Sequence, residues 1–284
     1  MLAACVLFSL MTVSVYAVAL CQPTLPFAVV SFARILINLA VLLVPALLAR
    51  QVLGLFGDLR ASLWLRGLFG TVALMLSYSA IQRIGPGESA FLGASSGVFV
   101  VLLGPLLLGQ RNSAAAWLAV IGAFAGVFLL FEPRNQDGGD FPGRCMALGS
   151  GFLSALAYLM VARAGRSNSP QSVIFYFCLV ALAIHLIYFL FTGLDAPESP
   201  DVWLLMLVGG LAASGAQFYM TRAYQQAPAA LVSAVGYLSP VLSLLWSILL
   251  FSRTPDPEAL AGCALVLACG VFLPFLTAQG RSRA

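Results

Sequence analysis

The amino-acid sequence predicts an all-α integral membrane protein, with ten transmembrane helices arranged as two five-helix inverted repeats around a central cavity. Three observations predict this fold: the composition, ten apolar segments of spanning length, and an internal repeat. Of the 284 residues, 61% are hydrophobic and 8% are charged, whereas soluble domains carry roughly 25% charged residues. The mean hydropathy of +1.00 therefore indicates a chain whose surface faces lipid and which has no room for a separate soluble domain.

Ten apolar segments are bounded by Pro, Gly and charged residues, which mark helix ends. About 20 apolar residues of helix cross a bilayer core about 30 Å thick. The first segment begins at Leu2 without a charged region before it, so we expect a membrane span there and not a removable signal peptide. The predicted spans are residues 2–20, 27–49, 62–82, 87–108, 114–131, 145–163, 171–192, 203–224, 229–251 and 258–277.

The distribution of arginine predicts the orientation. The chain has no lysine, and an even number of spans puts both termini on one side of the membrane. If that side is the cytoplasm, nine arginines flank the inner helix ends and four flank the outer ends, which is the bias that the positive-inside rule describes. Arg66 and Arg222 belong to the inner set, where orientation and lipid head groups explain them. We therefore expect a multi-pass protein of the cytoplasmic (inner) membrane with cytoplasmic N- and C-termini.

An internal repeat relates the two halves of the chain at an offset of 143 residues. The matched pairs are Ala80/Ala223, Gln82/Gln225, Gly93/Gly236 and Ser96/Ser239. The repeat predicts a first five-helix unit at 1–131, an extracytoplasmic linker at 132–144, and a second five-helix unit at 145–284 with a short cytoplasmic tail. Because five is odd, the second unit must insert upside down relative to the first. Inverted repeats of this kind are a transporter architecture with the substrate held at their interface.

The residues around this repeat resemble a known family. Ser79-Ala80-Ile81-Gln82, followed by a Gly/Pro turn, is similar to the junction of the third and fourth helices in the EamA-like branch of the drug/metabolite transporter superfamily. The signature returns at 222–228 and leads to Tyr237-Leu238-Ser239-Pro240, while Gly97 stands where a proline mirroring Pro240 would be. The resemblance implies ten helices in two inverted repeats, cytoplasmic termini, a central cavity, and secondary transport of metabolites, often export.

Ionisable residues inside predicted spans are functional candidates, because a charge in the bilayer core costs about 2.5–3.5 kcal/mol on insertion scales. Arg34, which resembles the arginine of the family's second helix, is a candidate counter-charge for a substrate carboxylate or phosphate; a structural ion pair or a snorkelling side chain is the alternative. Glu88 is a candidate proton-coupling group or partner of Arg34, but its position favours the role of an acid that stabilises a helix N-terminus. His185, the single histidine, is the other coupling candidate, with a packing role as its alternative.

The fourth and ninth predicted helices are the expected cavity walls, because they carry serines at helical spacing and a proline that frees a backbone carbonyl. Gly97 and Pro240 are the predicted kinks. Tyrosines inside spans need a hydrogen-bond partner and are expected to point into a polar cavity. The predicted substrate-binding residues are Arg34, Tyr78, Ser95, Ser96, Tyr158, Tyr219, Tyr237 and Ser239.

These patterns predict a secondary transporter that moves a small organic metabolite, an amino-acid-like zwitterion or anion, by alternating access. Export and proton or other ion coupling are expected; the sequence has no phosphate-binding GxxxxGK[ST] motif for ATP. A passive facilitator, or an integral-membrane enzyme acting on a lipid-linked substrate, is the alternative. The expected partners are the substrate and membrane lipid, with no nucleic acid, cofactor, catalytic group or metal, in a monomer or homodimer. The six cysteines lack metal-site spacing and are expected to pack as small hydrophobes.

Overall fold

The computed structural model describes residues 1–109 and 140–251, together with residues 122, 125, 257, 258, 260–262, 264, 265 and 267–269. The described chain is helical, and the helices are α1 (Leu2–Cys21), α2 (Phe27–Leu48), α3 (Ala61–Ile84), α4 (Pro86–Gly93), α5 (Ser96–Leu108), α6 (Phe141–Ala164), α7 (Pro170–Thr192), α8 (Pro200–Gln226), α9 (Ala229–Gly236) and α10 (Leu238–Phe251). A short 3₁₀ turn, Val52–Leu55, precedes α3. The predicted helix at 114–131 and most of the one at 258–277 lie outside the described residues.

Seven membrane spans are long and apolar enough to cross a bilayer within the described ranges: α1, α2, α3, the combined segment Pro86–Leu108, α6, α7 and α8. Leucines in the middle of these helices face outward, such as Leu186 on α7 and Leu211 on α8, each about half exposed. Such a surface is suited to lipid and not to water. The protein is therefore a multi-pass membrane protein, as its composition predicts.

Three helices begin with the same local chemistry. The side chains of Asp140, Ser169 and Ser199 each accept a hydrogen bond from a backbone N–H in the first turn of α6, α7 and α8. Each cap is followed by a proline in the first two helical positions, where its missing N–H costs no helical bond. Because Asp140 caps α6, this helix begins at Phe141, four residues before the predicted boundary of the second unit at 145.

The helices repeat at the spacing of the internal sequence repeat. α1 and α6 end at Cys21 and Ala164, and α2 and α7 begin at Phe27 and Pro170, each pair 143 residues apart. The same offset relates both ends of α4 to those of α9. Five helices of one half therefore have a counterpart of similar length in the other half.

The packing between the halves follows the same correspondence. α3 packs extensively on α6, and its counterpart α8 packs extensively on α1. α3 also packs on α7, as α8 does on α2. A pair of hydrogen bonds repeats in the same way: Gln82 Nε2 donates to the Leu25 carbonyl at 3.4 Å, and Gln225 Nε2 donates to the Asn168 carbonyl at 3.3 Å. Each half thus fastens its own loop between its first two helices to its third helix.

The fourth and ninth predicted helices are each interrupted. The first breaks between Gly93 and Ser96, and the second between Gly236 and Leu238. In the second break, a proline at 240 has no N–H for the carbonyl four residues earlier, at Gly236. In the first break, Gly97 N donates to the Ala94 carbonyl at 3.0 Å in a tighter turn, so the Gly93 carbonyl does not receive its α-helical bond. Both breaks lie two to three residues before the predicted kink positions, Gly97 and Pro240.

Candidate functional site

A cavity of about 210 Å³ lies among the helices and is lined by side chains of α1, α2, α3, α4, α6, α7, α8 and α9, with Ser96 and Ser239 at the starts of α5 and α10. The two glycines at the helix breaks, Gly93 and Gly236, both line it. Backbone that leaves the helical pattern at membrane depth is tolerated where it borders a cavity or is buried in protein. The two helix breaks therefore lie where such backbone is tolerated, beside the cavity.

Two arginines line this cavity, Arg34 from α2 and Arg66 from α3. They are 6% and 3% exposed, and the Nε atom of each is buried without a hydrogen-bond partner among the described residues. The ion pairs that the structure describes involve Arg60, Arg83 and Arg144, and neither buried arginine belongs to them. A charge taken out of water without a partner is strongly unfavourable. The cavity therefore presents two cationic groups whose charge the described protein does not neutralise.

Local packing positions the Arg66 guanidinium. Its central carbon lies 4.7 Å from the centroid of the Phe177 ring on α7, a cation–π distance. Gly67 allows this close approach of α3 to α7, because a Cβ there would lie 2.7 Å from Val180 Cγ2. Gly70, one turn later, leaves the space that the guanidinium occupies, since a Cβ at 70 would collide with Arg66 Nη1.

Arg34 is held differently. It lies beside the Tyr78 ring, with its guanidinium carbon 5.8 Å from the ring centroid. Both residues border a small void of about 10 Å³ that also touches Gly209 and Gly210 of α8. Tyr78 is 1% exposed and packs against Arg34. It is not part of the larger cavity's described lining.

Neutral polar groups complete the lining. Gln217 of α8 is 2% exposed, and its Nε2 has no partner among the described residues. Tyr158 of α6 and Tyr224 of α8 both line the cavity and stack with ring centroids 4.9 Å apart. Hydroxyl groups are contributed by Thr12, Ser77, Ser89, Ser96, Ser150, Ser154, Ser233 and Ser239. This lining offers many hydrogen-bond donors and no carboxylate within the part of the chain that is described.

The structure brings together five of the predicted substrate-binding residues at this cavity: Arg34, Ser96, Tyr158, Tyr237 and Ser239. Ser95 faces α6 instead, where a Cβ at Gly151 would collide with its hydroxyl oxygen. Tyr219 is 47% exposed on the outside of α8. The hypotheses that Ser95 and Tyr219 contact the substrate are thus not supported by their positions.

The two coupling candidates lie outside the cavity lining. Glu88 Oε1 accepts a hydrogen bond from Arg144 Nε at 2.6 Å, so its ion partner is on α6 and the alternative pairing with Arg34 is wrong. His185 is fully buried between α2 and α7, with Nε2 2.7 Å from Ser31 Oγ and Nδ1 2.8 Å from the Ala181 carbonyl. Because a carbonyl only accepts, Nδ1 donates that bond. Its contacts are those of the packing alternative.

Arg66, Gln217 and Tyr224 are among the lining residues that sequence reasoning missed. Arg66 was explained by lipid head groups, yet it is buried inside the bundle. The signal was present in the chain: Gly67 and Gly70 follow Arg66 on the same helix and make room for a large side chain and a close neighbour. No group of three His, Cys, Asp or Glu side chains suited to a metal ion occurs among the residues described.

Interrupted membrane helices that border a central cavity are a recurring arrangement in membrane transporters. The chain belongs to the EamA-like transporter family, whose sequence model matches residues 1–132 and again residues 141–275. The family expected from the sequence is thereby confirmed. It is a family of transporters and not of enzymes, which removes the enzyme alternative.

Named relatives are similar over most of the chain. The pseudopaline exporter CntI of Pseudomonas aeruginosa (strain UCBPP-PA14) is 26% identical over 247 residues, covering 87% of this chain and 86% of the relative. The riboflavin transporter of Vibrio cholerae is 25% identical over 255 residues, covering 88% and 85%. A protein crystal structure aligns with a TM-score of 0.73 over 98% of both chains at 20% identity, and so shares the fold.

Proposed function

We propose that this protein is a secondary transporter that moves a small organic zwitterion or anion across the cytoplasmic membrane, by alternating access of the cavity. The observation that carries the proposal is the pair of buried arginines, Arg34 and Arg66, which line the cavity without a described counter-charge. A bound carboxylate or phosphate would supply that charge and satisfy the free Nε donors by charge-assisted hydrogen bonds.

The repetition of one helical unit supports the alternating-access part of the proposal. The same family model matches the chain twice, the helices repeat at 143 residues, and the contacts between halves are reciprocal. Two units of five spans each, 1–131 and 145–284 joined by the linker 132–144, would face opposite ways in the membrane and leave both termini in the cytoplasm. Rocking of one unit against the other would then open the central cavity to each side in turn.

Export is the proposed direction, since one of the named relatives is an exporter. A proton or other ion gradient is the proposed energy source. His185 and Glu88 remain the coupling candidates, although the contacts described above suit packing and ion pairing. A passive facilitator would share the same cavity but would not respond to a gradient.

The experiment is a flux assay with purified protein in liposomes, against a panel of amino acids, organic acids and neutral metabolites. We expect saturable flux of an anionic or zwitterionic compound, faster with an imposed pH gradient. The variant Arg34→Ala should abolish this flux while remaining folded and membrane-inserted. Unchanged flux in Arg34→Ala would remove Arg34 from the site, and flux restricted to neutral or cationic compounds would overturn the proposal. Gradient-independent flux would support the facilitator.

A further inference from the structure

We infer that the cargo of this cavity carries two anionic groups, one for Arg34 and one for Arg66, and is net negative; this deepens the proposed function and rests on it. The two arginines come from different helices and from positions that are not related by the internal repeat.

The repeat offset of 143 residues makes position 34 equivalent to 177 and position 66 equivalent to 209. Arg66 of α3 packs on Phe177 of α7. In the equivalent helix pair, Arg34 of α2 borders the same void as Gly209 of α8. Each of these two equivalent helix pairs thus contributes one arginine. One guanidinium therefore comes from each of two helix pairs that the repeat relates, and both reach one cavity.

The charge of the two arginines favours a cargo with two negative charges over a cargo with one. Arg34 and Arg66 line the same cavity, and two like charges in one cavity repel each other. A cargo with a single carboxylate carries one negative charge and would leave the two buried guanidinium groups with a net charge of +1. A cargo with two anionic groups neutralises both and offers an acceptor to each free Nε.

The remaining lining disfavours a cationic group on the cargo. No carboxylate among the described residues borders the cavity. Glu88 pairs with Arg144, and Asp140 pairs with Arg83. An ammonium group would therefore find only neutral partners. The cavity volume of about 210 Å³ suits a compound of about the size of a short dicarboxylic acid.

The test compares pairs of probes that differ by one charge at nearly constant shape: succinate, glutarate and adipate, each against its monoamide. Ligand-induced stabilisation of the purified protein is measured over a concentration series, which yields an apparent affinity. We expect at least one diacid to bind about tenfold or more tightly than its monoamide, as a charge-assisted hydrogen bond permits. Equal binding of diacid and monoamide, or binding of none of the three diacids, overturns the inference.

Variants locate the two charges. Arg34→Gln and Arg66→Gln should each bring the diacid-to-monoamide ratio close to one, whereas Arg222→Gln, on the exposed side of α8, should keep the wild-type ratio. A wild-type ratio in either cavity variant overturns the inference. Arg66→Lys retains the charge and should retain the preference for the diacid over its monoamide. The comparison of these probes on the wild-type protein tests the inference even if a glutamine variant does not fold.

The flux assay distinguishes this inference from the proposed function. If the protein in liposomes transports monoanions or zwitterions but no diacid, the two-anion inference is wrong while the transporter proposal stands. If no anion or zwitterion is carried, both fall.

Discussion

A single side chain can decide what this cavity recognises. For Arg66, the sequence predicts the depth in the membrane but not the burial of the side chain. Arg34 was a candidate for the site because it lies roughly 10 Å below the outer end of the second span, at 1.5 Å per residue, where a charge exposed to lipid is unfavourable. Arg66 stands only five residues into α3, a depth that also suits a lipid head group. Its burial depends on which way it faces, and depth along the helix does not determine that.

Gly70 gives a prediction at this scale. Alanine at position 70 would displace the Arg66 guanidinium, because the new Cβ would occupy the place of Nη1. We expect Gly70→Ala to weaken binding of anionic substrates about as much as Arg66→Gln, roughly tenfold or more. The measurement is ligand-induced stabilisation of purified protein.

The matched control for that prediction is Gly149→Ala on α6, where a Cβ would make an ordinary contact of 3.5 Å with Leu76 Cδ1. Both changes replace a helical glycine by a better helix former. If Gly70→Ala binds anions as the wild type does, the position assigned to Arg66 is wrong.

At the scale of helices, the location of most spans was predictable from the sequence. The direction in which their side chains point was not. Segments such as 27–49 and 171–192 match α2 and α7 closely because length and apolarity alone define a span. Tyr219 and Tyr224 lie on the same helix, yet one faces outward and the other lines the cavity. A helix that is apolar on all sides lacks the periodicity that would tell these faces apart.

The two interrupted helices meet at Gly97 and Tyr237, which gives an element-scale prediction. A Cβ at Gly97 would lie 2.7 Å from the Tyr237 hydroxyl and 2.9 Å from two ring carbons. Overpacking of this kind costs about 1–3 kcal/mol, so Gly97→Ala should lower the thermal stability of the purified protein. Tyr237→Leu in the same background should restore much of the loss.

Gly93→Ala serves as the control, since a Cβ there meets nothing within 4 Å. It should be neutral or stabilising. Equal stability of Gly97→Ala and Gly93→Ala would show that the two breaks do not pack together in this way.

Across the whole molecule, one polar network joins the loop between α2 and α3 to the loop between α6 and α7. The Asp58 carboxylate accepts hydrogen bonds from Ser167 Oγ at 2.6 Å and from Asn168 Nδ2 at 2.9 Å, and Asp58 N donates to Asn168 Oδ1 at 2.9 Å. The hydrogen bond from Ser167, helped by those from Asn168 and the Arg60 backbone, lowers the pKa of Asp58 below its ordinary value against slight desolvation.

The sign of the resulting pH dependence follows from that lowered pKa. The stabilisation is complete above the unfolded value near 4 and is lost as the pH falls through the lower folded value. Wild type should therefore melt at a higher temperature than Asp58→Ala at pH 7, and the difference should shrink at pH 3. A difference that is constant from pH 7 to pH 3 would contradict a role for the charged carboxylate.

The most direct test of the account asks whether the cavity is reached from both sides of the membrane. In a chain without its six native cysteines, Ser154→Cys places a thiol in the cavity lining, and Leu211→Cys places one on the lipid-facing side of α8. A membrane-impermeant maleimide is added to right-side-out and to inverted vesicles. If access to the cavity alternates, Ser154→Cys is labelled in both preparations and a transported anion slows the labelling. Leu211→Cys is not labelled in either preparation. Labelling of Ser154→Cys from one side only, or from neither, would contradict alternating access.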